Sequence, residues 1–266
     1  MFELALYACV GALSGLTAGL FGIGGGLVIV PVLLLVFEFK DYSSEVLAHM
    51  AVATSLAAII FNSISAAYNQ HKRQAVAWSR WRLVPLLLLG SILGAAIAGA
   101  VSGNSMRVLL AVFLFFIALY MLRKKKQSGS AVIRCKGPCA QLAGGAIGTL
   151  SAIVGIAGGT FLVPLLHALG HPMRVAVGTS SALGVPLVSV AALSHIFTGY
   201  GNPSLPEWTL GYVYIPAFLG ITLVSPWSAR FGVVLGHSLD QEMLRRCFAV
   251  FLLGSAAWVL LRLYLI

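Results

Sequence analysis

Two glycine-rich stretches interrupt long apolar segments at matching positions in the two halves of the chain. The first is FGIGGGLVIVP (residues 21–31) and the second is VGIAGGTFLVP (residues 154–164). Each glycine costs about 1 kcal/mol relative to alanine in a helix interior, so a continuous helix through either stretch is unfavourable. In lipid, non-helical backbone persists only where protein or a water-filled cavity covers it. We therefore predict that both segments break and that the breaks line an internal site.

Composition places this chain in a membrane. It is 59% hydrophobic and 9% charged, with a mean hydropathy of +0.97, outside the range of soluble domains. Several apolar runs reach the roughly 20 residues that span a bilayer. We predict an all-α integral membrane protein with about eight hydrophobic segments, arranged as two homologous, inverted repeats whose first segments are broken by glycine. The runs cover residues 4–37, 46–68, 81–101, 108–122, 142–169, 175–197, 210–229 and 247–265.

The placement of Lys and Arg favours broken segments that return to the side where they start. If all eight runs crossed once, six of the 17 cations would lie outside. If both broken segments return, only Lys40, Arg107 and Arg262 of the 17 lie outside, which better fits the excess of cations in cytoplasmic loops. The predicted organisation is a first membrane repeat over 1–122, a basic cytoplasmic linker over 123–139 and a second repeat over 140–266.

Each glycine break is followed by a short apolar half-helix, whose N-terminus favours an anion. About twenty residues later come the matching motifs AVATS (51–55) and AVGTSS (176–181). Their hydroxyls either line a site or bond to carbonyls of the preceding turn, and Asn62 either donates to a ligand or joins helices. The candidate substrate-binding residues are Gly24, Gly25, Gly26, Thr54, Ser55, Asn62, Gly158, Gly159, Thr160, Thr179 and Ser180.

The ionisable residues offer little chemistry at membrane depth. His49 and His195 lie near predicted span ends, and no span carries an obvious buried Asp or Glu. A carboxylate proton relay, a metal site and acid–base catalysis all need such groups, so we predict no enzyme, no metal and no cofactor. Of the four cysteines, Cys135 and Cys139 lie in the basic linker, where we expect no structural disulfide.

The paired motifs carry a family resemblance. The two G-x-G/A-G-G-x-x-x-V-P stretches (22–31 and 155–164), each followed by A-V-A/G-T-S, resemble the TauE/SafE family of sulfite and organosulfonate exporters. The resemblance covers nearly the whole chain. It implies a multi-pass secondary transporter of the bacterial cytoplasmic membrane for small sulfur-containing anions. The anion would bind a floor formed by residues 24–26 and 158–160, and relative movement of the repeats would expose it to each side in turn.

Other functions stay open at this point. A passive anion pore, a carrier of an unrelated small solute and an accessory membrane subunit all fit an apolar chain. The expected partners are a small anion and the lipid bilayer, with a homo-oligomer as an open option. No nucleic acid is expected despite the formal charge of +10, because the cations occupy short loops between spans.

Overall fold

The computed structural model describes residues 2–21, 24–122, 138–235 and 241–265. Within them the chain is almost entirely helical, which confirms the predicted all-α membrane class. The elements, in order, are α1 (Phe2–Phe21), α2 (Gly26–Phe39), α3 (Leu47–Lys72), a 3₁₀ helix (Trp78–Leu83), α4 (Val84–Ala100), α5 (Gly103–Leu122), α6 (Pro138–Val154), α7 (Gly159–Ala168), α8 (Met173–Gly199), the antiparallel pair β1 (Thr209–Leu210) and β2 (Val213–Tyr214), α9 (Ile215–Leu235) and α10 (Gln241–Leu265).

Both glycine-rich stretches break their segments, as predicted. The first run divides into α1 and α2, and Gly24 and Gly25 between them have φ angles of +78° and +84°. The second divides into α6 and α7, with Gly155 at φ +77°. This left-handed backbone favours glycine because a Cβ would crowd the following carbonyl. Glycine at these positions therefore determines where each helix stops.

Each broken segment forms a hairpin whose two ends lie at the same face of the protein. In the α1–α2 hairpin, Glu3 near the start bonds to Lys40 just beyond the end, with 2.8 Å between Oε2 and Nζ. In the α6–α7 hairpin, Gly144 in the first half of α6 lies beside Leu83 of the 3₁₀ helix, because its Cβ would come 3.8 Å from the Leu83 carbonyl oxygen. Arg80 of the same 3₁₀ helix donates to His171 just beyond α7 (2.7 Å). The symmetry relating the two halves stays a prediction.

The two halves are interlaced. The most extensive helix pairings join α1 to α9, α4 to α6, α3 to α8 and α5 to α10, and each of these pairs takes one helix from either half. Glycines permit the close approach: a Cβ at Gly11 would lie 2.5 Å from the carbonyl oxygen of Ile221. The small-residue stripe Gly11, Gly15 thus packs α1 against α9, as small residues do between membrane helices.

Helices α3 and α8 form the centre. In α3, every residue from Leu47 to Ile59 is buried, as expected for a helix that is apolar all round. Large apolar side chains on the outer helices, such as Phe116 and Leu223, are exposed and suit contact with lipid. Within the described ranges four helices are long and apolar enough to cross a membrane, namely Leu47–Lys72, Trp78–Ala100, Gly103–Tyr120 and Arg174–Gly199.

One expectation for the linker is wrong. Cys139, at the start of α6, is disulfide-bonded, although the sequence suggested no structural disulfide there. The basic part of the linker, residues 123–137, lies outside the described residues, as do Gly22 and Ile23 of the first glycine stretch.

Candidate substrate site

The tips of the two hairpins touch each other at the glycine turns. A Cβ atom at Gly24 would lie 2.5 Å from the Cβ of Ala157, and one at Gly26 would lie 2.9 Å from the carbonyl oxygen of Gly155. Gly155 in turn lies against α3, because its Cβ would come within 2.9 Å of Val52 Cα. The turns that break the two segments therefore form one contiguous patch of backbone beside α3.

A cavity of about 70 Å³ adjoins this patch, between the glycine turns and helices α1, α3, α8 and α9. One water molecule needs roughly 10–15 Å³ on this measure, so there is room for several waters or a small oxyanion. Gly24, Ala157 and Gly159 contribute backbone to the lining, and Asn62 and Ser180 contribute polar side chains. Residues from both halves thus surround a polar space beside two helix breaks.

Asn62 and Ser180 are buried in this lining without partners. Asn62 is 2% exposed and Ser180 is 1% exposed. Neither amide atom of Asn62, nor the Ser180 hydroxyl, has a hydrogen-bond partner among the described residues. Leaving such a group unsatisfied costs about 1–3 kcal/mol, and native proteins rarely tolerate it without reason. These groups are positioned to bind a polar ligand or ordered water in the cavity.

Three other predicted hydroxyls connect elements and do not line the cavity. Ser55 Oγ donates to the carbonyl of Gly155 (2.9 Å). Thr54 Oγ1 accepts a hydrogen bond from the backbone N–H of Tyr214 (2.9 Å), and Thr179 Oγ1 accepts one from Ala77 N–H (2.9 Å). Each bond joins one half of the chain to the other. These side chains therefore brace the elements around the cavity and are absent from its lining.

The remaining predicted residues lie at the N-termini of α2 and α7 and do not line the cavity. The carbonyl of Gly25 accepts hydrogen bonds from the N–H groups of Val28 and Ile29 at the start of α2. Gly158 does the same at the start of α7, where Thr160 Oγ1 is buried with no partner in the described part of the chain. Of the eleven predicted residues, the cavity brings together Gly24, Asn62, Gly159 and Ser180.

Sequence reasoning missed the polar and basic residues near the outer end of the cavity. Arg73, directly after α3, and Arg230 on α9 both line it and are exposed. Asn69, one turn before Arg73, lines it too. The spacing of Asn62, Ala66, Asn69 and Arg73 is three to four residues, which places them on one face of a helix. That periodicity could have identified the polar face of α3 from the sequence. The arginines were used there only to assign loops to one side of the membrane.

A polar and aromatic network covers the opposite face. Lys40 Nζ donates to the Tyr214 hydroxyl (3.1 Å), and the Tyr42 hydroxyl donates to the same oxygen (3.2 Å). Burial acts to lower the pKa of Lys40, but hydrogen bonds to Glu3, Tyr214 and Tyr42 raise it above its usual range. Together with the bond between Thr54 and Tyr214, this network joins α2, α3 and the β-hairpin.

The buried histidines lie away from the cavity lining. His49 Nε2 hydrogen-bonds the carbonyl of Ala98 (2.9 Å), and His195 Nε2 hydrogen-bonds the carbonyl of Ala152 (3.0 Å). Both rings therefore link their helices to neighbouring backbone. Among the described residues, no group of three or more His, Cys, Asp or Glu side chains is placed to hold a metal ion.

Comparison with known proteins points to one membrane-transport family. The sequence profile described as "Sulfite exporter TauE/SafE" matches residues 7–259. A "Probable membrane transporter protein" of Haemophilus influenzae is 35% identical over 95% of this chain and 96% of its own length. Similar proteins are the "Probable membrane transporter protein MJ0441" of Methanocaldococcus jannaschii (27%; 91% of this chain, 90% of the relative) and "Probable membrane transporter protein YunE" of Bacillus subtilis (26%; 91% and 90%). No solved structure matches this chain.

Proposed function

This chain belongs to the TauE/SafE family, and on that premise we propose that it is a secondary transporter that exports small sulfur-containing anions such as sulfite or organosulfonates. The observation that carries the proposal is the pair of unpartnered side chains, Asn62 and Ser180, in a cavity between two glycine turns. A scaffold subunit has no evident need of such a site. The protein would lie in the bacterial inner membrane with the linker 123–136 in the cytoplasm.

The donors of the cavity suit an oxyanion. The Asn62 amide can donate two hydrogen bonds and the Ser180 hydroxyl one, which can replace part of the hydration shell of a sulfite or sulfonate group. Helices α2 and α7 begin at Gly26 and Gly159, beside the cavity. Their N-termini carry partial positive charge and reinforce the preference for an anion.

The difference between the two faces supports an alternating-access mechanism. The cavity reaches exposed arginines at one face, whereas the network around Tyr214 covers the other. We infer that the described conformation is open to the cytoplasm, because the cavity opens at the face that carries most of the loop cations. Export then requires the Tyr214 network to separate while the arginine face closes.

Transport by purified protein in proteoliposomes tests this proposal. Asn62→Ala and Ser180→Ala should each lower sulfite or sulfonate flux about 10- to 100-fold, because a hydrogen bond to a charged group contributes about 1.5–3 kcal/mol. Ser189→Ala is the matched control on α8, since the Ser189 hydroxyl donates to the Val185 carbonyl of the same helix (2.9 Å) and does not line the cavity. Thermal unfolding should show that all three variants remain folded.

The kinetics also separate the competing functions. Saturable flux that responds to an imposed proton gradient would support a coupled carrier. Flux that never saturates would replace the carrier by a passive pore. Saturable flux unchanged in both Asn62→Ala and Ser180→Ala would contradict the proposed site, and no flux of either anion would contradict the proposed substrates.

A further inference from the structure

We propose that Arg73 and Arg230 form a cationic mouth that concentrates anions at the cavity and repels cations. The inference rests on the proposed function, because it concerns the same cavity and makes the two arginines its charge filter. It assigns to them a role in substrate selection that is separate from membrane orientation.

The two arginines reach the same cavity from different parts of the fold. Arg73 caps the C-terminal end of α3, and Arg230 lies on α9 near the end of that helix. The guanidinium of Arg230 stacks over the Trp227 ring, 5.3 Å from its centroid, which restricts where the charge can move. Among the described residues, those that line the cavity include these two arginines and no Asp or Glu.

In the part of the chain that the structure describes, no carboxylate pairs with either arginine. The ion pairs found there are Lys40 with Glu3 and Arg107 with Glu38. Unpaired cations at the rim of a low-dielectric cleft focus their field into it. The field at the cavity is therefore positive on the side where substrate enters.

Helix α3 connects the mouth to the buried donors. Asn62, Asn69 and Arg73 share one face of the helix and line the cavity. The helix rises about 16 Å over these eleven residues, and an Arg73 side chain that extends back toward the N-terminus can bring its guanidinium to about 10 Å from Asn62. An anion attracted by Arg73 can move past Asn69 to the unpartnered amide.

Coulomb's law gives the expected effect of each arginine on the concentrations of anions and cations at the cavity. One unit charge about 10 Å away, with an effective dielectric constant of about 40–80, raises the local concentration of a monovalent anion about two- to fourfold and lowers that of a cation equally. The ratio of anion to cation at the cavity therefore changes about four- to sixteenfold for each arginine.

Charged thiol reagents measure this ratio without requiring transport. In an Asn62→Cys protein, we compare the anionic reagent 2-sulfonatoethyl methanethiosulfonate, itself an alkyl sulfonate, with its trimethylammonium counterpart. The ratio of the anionic to the cationic reaction rate should exceed the same ratio measured with a free thiol in solution. Arg73→Gln or Arg230→Gln should each lower the ratio of the two rates about four- to sixteenfold. Site-resolved mass spectrometry reads the cavity cysteine separately from Cys9, which is exposed and free.

Arg82→Gln is the matched control. Arg82 is an exposed cation of the 3₁₀ helix that does not line the cavity, and its loss should change the ratio less than about twofold, as expected for a screened surface charge. Ser180→Cys is a second reporter in the same cavity if Asn62→Cys does not fold. Equal ratios of the anionic to the cationic reaction rate in the parent, Arg73→Gln and Arg230→Gln proteins would contradict the proposed cationic mouth. Cavity cysteines that react with neither reagent would also contradict it.

The proposed function can fail separately. If the ratio falls as expected but proteoliposomes show no sulfite or sulfonate flux, the mouth stands and the proposed substrates are wrong. If flux is saturable but the ratio does not depend on either arginine, the transport proposal stands and the mouth is wrong.

Discussion

Replacing Gly24 by alanine should destabilise the protein, because the new Cβ would press the first glycine turn against the second. Gly24 has a φ of +78°, and its Cβ would lie 2.5 Å from the Cβ of Ala157. The left-handed backbone costs an L-residue about 1–2 kcal/mol, and a steric overlap of this kind costs about 1–3 kcal/mol. The expected loss in the free energy of unfolding is therefore about 2–5 kcal/mol.

Removing the Ala157 side chain in the Gly24→Ala protein should recover the part of the unfolding free energy that is lost through steric overlap. With Ala157→Gly in place, the next atom near a Gly24 Cβ is Ile59 Cγ2 at 3.5 Å, an ordinary contact. The double variant should keep only the backbone strain, which gives a coupling energy of about 1–3 kcal/mol in a double-mutant cycle. Equilibrium unfolding of the purified wild-type, single and double variants measures it.

A glycine without neighbours isolates the backbone strain. Gly201 has a φ of +76° and nothing within 4 Å of its Cβ position, so Gly201→Ala should cost only about 1–2 kcal/mol. If the effects of Gly24→Ala and Ala157→Gly on the free energy of unfolding are strictly additive, the two glycine turns are not in contact. The cavity would then not be bounded by one patch formed from both turns.

Two predictions concern the face that covers the cavity. Thr54→Val should lower the free energy of unfolding by about 1–3 kcal/mol, because it leaves the buried N–H of Tyr214 without an acceptor. The control Thr222→Val removes a hydroxyl that is bonded within its own helix, and it should lower the free energy of unfolding by less in the same assay. Lys40→Met should cost less than about 1 kcal/mol, as for other partly exposed ion pairs. The pKa of Lys40 is raised in the folded protein. The decrease in unfolding free energy caused by Lys40→Met should therefore be constant from about pH 6 to pH 10 and become smaller only above the unfolded pKa of about 10.4. A decrease that already becomes smaller near neutral pH would contradict the raised pKa.

The sequence predicted the breaks in the helices because the cause is local. Clustered glycines at residues 24–26 and 155–159 disfavour a helix wherever they lie, and the structure confirms both breaks. The return of each segment to its starting face was predicted from loop charge, and the bonds at Lys40 and His171 show hairpins of that shape.

The functions of individual hydroxyls could not be predicted in the same way. Ser55 and Ser180 occupy equivalent motif positions, yet Ser55 donates to the carbonyl of Gly155 and Ser180 has no partner among the described residues. That difference depends on Gly155, which is distant from Ser55 in sequence. Arg73 and Arg230 were missed for a related reason: only the tertiary packing of α3 near α9 brings these two cations to one cavity.

The interlaced pairing of helices has a consequence for biosynthesis. The small-residue face of α1 finds its packing partner only in α9, roughly 200 residues later in the chain. At about 5–20 residues per second, a ribosome needs about 10–40 s to synthesise that interval. During this time α1 must reside in lipid or against other proteins of the insertion machinery, with its glycine face unmatched. The first half of the chain therefore cannot complete its own core, and the α1–α9 and α5–α10 pairs form only as the last quarter enters the membrane.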